Sequence, residues 1–158
     1  MAGPRAGDSP PAARAPAWTA DRQRVASGAP WEGSVGYARA VRVGPFVYVA
    51  GTTGVGADGR PVPGGTYAQT HRAFAIAVEA LGRAGAGAAD VVRTRMYLTT
   101  AAEVAGATRA HAEWFGGVRP AATLVVVAAL IDPELLVEVE VDAVVGGLAL
   151  TTEAGDGA

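Results

Sequence analysis

Residues 136–144 alternate with a period of two: Val137, Val139 and Val141 fall on one side, Glu138, Glu140 and Asp142 on the other. Only an extended strand separates neighbours in this way, so the stretch predicts a strand with one face in a core and a row of carboxylates on the other. Upstream, residues 123–129 are nearly continuous in Leu, Val and Ala, the pattern of a strand covered on both faces. The intervening Ile131-Asp132-Pro133-Glu134 reads as a tight connection, since Pro133 disfavours a helix. Two readings of the acidic row stay open. It lines a solvated edge, or it contributes carboxylates near a seam between subunits.

The rest of the chain supplies partners for these strands. Residues 36–43 alternate in the strand manner, Gly44-Pro45 makes a turn, and residues 46–51 return as a second strand, giving a hairpin. Residues 54–65 are rich in Gly and Pro and form a loop, with a short edge hairpin at Asp58-Gly59. Thr66-x-x-Gln69 has capping-box spacing and opens a helix with Phe74, Val78 and Leu81 on one face. Residues 91–98 are a strand. A second box, Thr100-x-x-Glu103, opens a helix through Val104, Ala107, His111, Trp114 and Phe115 that Gly116-Gly117 closes. Residues 1–23, dense in Ala, Pro, Gly and Arg, read as a disordered leader, residues 24–148 as one domain, and residues 149–158 as a flexible tail. The order ββαβαββ predicts a two-layer α+β domain, its helices on one face of the sheet and the other face free to meet copies of itself.

Composition narrows the chemistry. The chain has no Cys and a formal charge of −2, and all 13 basic residues are Arg. A thiolate nucleophile, a Schiff-base lysine and a cysteine metal site are thereby excluded. An acidic chain without a basic stripe argues against nucleic acid as a partner. No run of eighteen apolar residues and no apolar leader segment occur, so neither a membrane partner nor a signal peptide is expected, and a cytoplasmic protein is the default. His71 and His111 lie on different helices and only weakly suggest a metal site. His111 is read as a packing residue or as a group titrating beside a cleft.

Six segments in register resemble the Rid (reactive intermediate deaminase, YjgF) family. They are residues 36–41, residues 47–52, Gln69-Thr70, residues 90–93, Arg119-Pro120-Ala121 and residues 137–140. The resemblance covers about residues 34 to 146. It implies a chorismate-mutase-like homotrimer with small-molecule clefts at its subunit interfaces. In the deaminase branch these clefts hydrolyse 2-imino or 2-enamino acids without metal or organic cofactor. Carried over by residue, it implies Glu138 and Tyr37 as catalytic groups, with Gly51 matching the strand glycine of the pocket. The family's carboxylate-binding arginine follows Pro-Ala, and here that position is Ala122. Ala50 stands where the deaminases carry serine, and Leu124 where small polar residues or cysteine are usual. Arg39, Thr52 and Thr123 complete the expected substrate wall.

The loss of a bidentate guanidinium removes a strong carboxylate contact, so ordinary 2-imino acid hydrolysis is not expected. Arg39, two residues beyond Tyr37, either brings a guanidinium to the cleft from another side or pairs on the surface with an acid. The expected activity is acid/base chemistry on a small imine, enamine or related reactive intermediate, as a tailoring step in specialised biosynthesis. The alternative is a non-catalytic metabolite- or partner-binding protein. An RNA-cleaving activity, sometimes associated with the family, would need a basic surface.

Overall fold

The computed structural model describes residues 22–29 and 32–146. The leader up to residue 21 and the tail from residue 149 lie outside the described residues. In chain order the elements are β1 (Arg22–Val25), a single-turn α1 (Glu32–Val35), β2 (Ala40–Val43), β3 (Phe46–Thr53), α2 (Gly65–Arg83), β4 (Val91–Leu98), α3 (Val104–Phe115), β5 (Ala121–Val126) and β6 (Val137–Val144). The strands make one sheet in the order β1-β2-β3-β6-β4-β5. All neighbours are antiparallel except β4 and β5.

Helices α2 and α3 pack on one face of this sheet, as the two amphipathic patterns require. Phe74 and Leu81 of α2 and Phe115 of α3 are fully buried against Val47, Leu98, Val137, Val139 and Val141. Phe74 meets Phe115 edge to face at 5.0 Å between centroids. Each such apolar side chain contributes on the order of 1.5–3 kcal/mol by leaving water. The other face exposes Tyr48 and Val125.

Several sequence expectations give way to the three-dimensional arrangement. Strands β5 and β6 are not a hairpin. Residues 127–136 carry the chain over so that β6 enters between β3 and β4, while β5 runs parallel to β4 at the edge. Apolar periodicity marks which residues leave water but not which strands become neighbours. As an edge strand β5 is mostly exposed, where its composition predicts cover on both faces.

The first predicted strand shortens to Ala40–Val43, because Gly36 at φ 81° ends α1 in a left-handed turn. Arg22 and Gln23 pair with β2, so the domain begins before the boundary at 24. The Thr66/Gln69 capping box does not form. Gly64, at φ 109°, is the N-cap two residues ahead of Thr66, Gly65, at φ 73°, opens the helix, and Thr66 is buried inside its first turn. Gln69 instead clamps the crossover, donating from Nε2 to the Glu134 carbonyl (3.0 Å) and accepting the Leu136 N–H (2.9 Å). Thr100 does cap its turn, its hydroxyl accepting the Ala102 N–H at 3.3 Å.

Candidate active site

The acidic row lies at the centre of the open face, because β6 is an interior strand, and this overturns the solvated-edge reading. Its three carboxylates have unequal surroundings. Opposite them β4 presents Arg93, Arg95 and Tyr97 in register with Asp142, Glu140 and Glu138. Arg95 Nη1 lies 3.2 Å from carboxylate oxygens of both Glu140 and Asp142. The Tyr97 hydroxyl donates to Glu140 Oε2 at 3.2 Å. Glu138 has no ion-pair partner among the described residues.

Glu138 lies against β3 at Gly51, where any Cβ would overlap its Oε1. A glycine is required there for the carboxylate to come so close to the backbone. Burial pushes the Glu138 carboxyl above the usual carboxylate range, and the Glu140 charge adds to the rise while Arg39 opposes it. Beside it opens a cavity of about 270 Å³ walled by Glu138, Glu140, Tyr97, Val127, Ala129 and Leu130. A carboxyl whose proton affinity is raised by burial, set at a partly apolar cavity, is suited to giving and taking a proton.

The β3 segment beneath is irregular, its register with β6 shifting between Val49 and Thr52. Arg39 holds this bulge: Nη1 donates to the Gly51 carbonyl (2.7 Å), the Thr52 hydroxyl oxygen (2.8 Å) and, at 3.4 Å, the Ala50 carbonyl. Arg39 is therefore neither a surface residue paired with an acid nor a guanidinium projecting into the Glu138 cavity. It braces the backbone that carries Gly51. Thr52, 3% exposed, spends its hydroxyl proton on the Ala50 carbonyl at 2.7 Å and has none to offer a ligand.

Tyr37 follows α1, whose Glu32 carbonyl accepts the Gly36 and Tyr37 amides at 3.0 and 3.2 Å. The Tyr37 ring is 5.9 Å from Arg39 Cζ. Glu32 anchors this turn by accepting the Ser27 amide and hydroxyl, each at 2.7 Å. The Ser27 backbone bond, followed by its side-chain bond, holds the Glu32 carboxyl below its ordinary value.

The remaining expected wall residues lie elsewhere. Through the β4–β5 register Ala122 pairs with Thr94 and Leu124 with Met96, both on the helix-covered face, and only Thr123 shares the face of Glu138. One chain thus sets Gly51 against Glu138 and Tyr37 near Arg39, which braces Ala50, Gly51 and Thr52, and leaves Ala122, Thr123 and Leu124 two strands from Glu138. His111 is a packing residue on the far side of the sheet. Its Nε2 is 2.8 Å from Thr94 Oγ1, its ring packs on Phe74 and Phe115, and burial lowers its pKa. Tyr97 and Arg95 are the site residues that the sequence reading missed. The alternation of Arg93, Arg95 and Tyr97 along β4 was the available signal. Among the described residues, no group of three or more His, Asp or Glu could hold a metal ion. No helix among them is long and apolar enough to cross a membrane.

The two-layer α+β fold agrees with the relatives of the chain. Residues 29–145 match the endoribonuclease L-PSP family model. An uncharacterized protein of Streptomyces coelicolor is 48% identical over 126 residues, covering 80% of this chain and 94% of the relative. A RutC family protein of Pyrococcus abyssi is 33% identical over 105 residues, covering 66% of this chain and 82% of that one. The crystal structure of a YjgF/YER057c/UK114 family member from Mycobacterium tuberculosis is similar with a TM-score of 0.71 and 50% identity, over 78% of this chain and 99% of that one. The chain belongs to the endoribonuclease L-PSP family, the YjgF/Rid family, and its fold is the chorismate-mutase-like fold of that family.

Proposed function

We propose that the protein is a homotrimeric enzyme whose interface clefts process a small imine, enamine or related reactive intermediate, with Glu138 as the general acid and base. The observation that carries this reading is the sorting of the acidic row. Arg95 neutralises Glu140 and Asp142, while Glu138 stands unpaired, raised in pKa and fitted over Gly51 beside a cavity. For an imine, Glu138 gives its proton to the nitrogen and its carboxylate then takes one from the water that attacks the carbon. The carbinolamine collapses as that proton moves from Glu138 to nitrogen and the C–N bond breaks. The carbinol hydroxyl returns its proton to the Glu138 carboxylate, so that ammonia and the carbonyl compound leave and the protonated acid is restored. Tyr37 and the Gly51 backbone supply hydrogen bonds to the intermediate.

Ala122 and Leu124 face away from Glu138 within one chain, so they reach a cleft only when the β5 edge of a neighbouring copy completes it. Alanine at 122 offers no charge to a carboxylate, and the substrate is accordingly less anionic or larger than a 2-imino acid. A tailoring step in a biosynthetic sequence is the role this chemistry suits. RNA cleavage, which the family description carries, gains no support from a chain of net charge −2 whose Arg95 is neutralised by two acids.

The test compares keto acid release from 2-iminopropanoate by the wild type, Ala122→Arg and Glu138→Gln. Activity in Ala122→Arg alone is the expected result. Full activity in the wild type would overturn the role given to Ala122. A panel of neutral imines and enamines then tests Glu138: if the wild type turns one over and Glu138→Gln is equally fast, the acid/base role is wrong. A wild type that binds such compounds without turnover would make this a binding protein.

A further inference from the structure

A second cavity, of about 210 Å³, opens on the helix-covered side, between α2 and the end of β3, and Arg39, Arg72, Arg83 and Glu79 are on its wall. Its electrostatics differ from those of the open face. There Arg95 meets two carboxylates. Here no carboxylate among the described residues lies within ion-pair distance of Arg39, Arg72 or Arg83. Arg39 and Arg72 are partly buried, and each uses only part of its fork: Arg39 gives Nη1 to the β3 bulge, and Arg72 gives Nε to the Val55 carbonyl at 2.9 Å. Arg39 Nε is buried and has no hydrogen-bond partner.

Three guanidiniums and one carboxylate on the wall of a single cavity give it a net positive field. A bound oxyanion offsets that field, because the planar forks present spare N–H groups in the geometry that carboxylate and phosphoryl oxygens accept. We propose that this cavity is a binding site for a small oxyanion, a single carboxylate or phosphoryl group, held by Arg39, Arg72 and Arg83. Glu79, on the same wall, limits the site to one anionic group and gives a ligand hydroxyl or ammonium an acceptor. The site is separate from the Glu138 cavity, which lies on the opposite face of the sheet, and it stands whether or not the proposed catalysis does.

The experiment is calorimetric titration of the full-length protein with inorganic phosphate and, separately, with acetate, at constant ionic strength set with chloride. One saturable site per chain is expected for at least one of them, and the stronger binder identifies the group. Arg83→Met and Arg72→Met are each expected to weaken binding by about tenfold or more, as loss of a charge-assisted fork implies. Arg83 is exposed, so its variant should keep the wild-type melting profile, confirming that the fold is intact. Absence of saturable binding of either anion to the wild type, or undiminished binding in a folded Arg83→Met, would overturn the proposal.

Discussion

Glu138 and Gly51 are a matched pair, because the carboxylate occupies the space that a Cβ would take. Gly51→Ala is therefore expected to displace the flexible end of Glu138 and cut turnover about tenfold or more, with little loss of stability. Steady-state rates beside a melting curve check this. The raised pKa of Glu138 has a thermodynamic counterpart. The native state binds the proton more tightly than the unfolded chain, so ionised Glu138 opposes folding at pH 7, and stability is gained as pH falls through its folded pKa. Glu138→Gln removes the ionised form, and its melting temperature at pH 7 should rise while turnover disappears. A lowered melting temperature would count against the burial that sets the proton affinity. Tyr97→Phe keeps the wall of the cavity but deprives Glu140 of a donor at 3.2 Å, and a smaller loss of rate is expected.

The elements reach this geometry through a few close approaches. At Gly54, just past the end of β3, a Cβ would overlap the Gln69 backbone of α2, so Gly54→Ala should cost about 1–3 kcal/mol in urea unfolding, because backbone cannot yield as a side-chain tip can. His111 ties α3 to β4 at Thr94 and has a pKa lowered by burial. Its contribution is complete above the unfolded value near 6.5 and is lost as pH falls below it, since the unfolded chain then takes up a proton that the folded one resists. Because Glu138 acts in the opposite sense, the quantity to measure is the difference in urea midpoint between wild type and His111→Gln, and the advantage of the wild type should shrink from pH 7.5 to 5.5. Much of the element plan was legible in the sequence. The core face of β6 follows from alternation, and α2 and α3 from the spacing of Phe74, Leu81, Ala107 and Phe115. The β5–β6 relation was not legible, because two apolar runs joined by a Pro-containing turn look alike whether they pair or part. The site divided in the same way. Glu138, Gly51 and Tyr37 were proposed from resemblance, and the structure sets Glu138 against Gly51, whereas the bracing role of Arg39 depends on a bulge that no periodicity announces.

At the scale of the molecule, the open face carries apolar Tyr48, 50% exposed, and Val125, 41% exposed, around the charged centre. A surface of this kind is stable when covered, and the proposed trimer covers it. Light scattering at micromolar concentration should give three times the chain mass, and Tyr48→Glu should reduce it to that of one chain. A single-chain mass for the wild type would remove the interface cleft altogether. Strand β6 also limits how such a protein can be re-engineered. Its eight residues serve two purposes in alternation, four of them fully or nearly buried and the rest facing out. Adding or deleting one residue would turn the whole strand over, putting Glu138, Glu140 and Asp142 into the hydrocarbon interior and the valines into water. Specificity can be changed here by exchanging side chains at even-numbered positions, or by splicing new loops into residues 127–136, but not by altering the length of the strand.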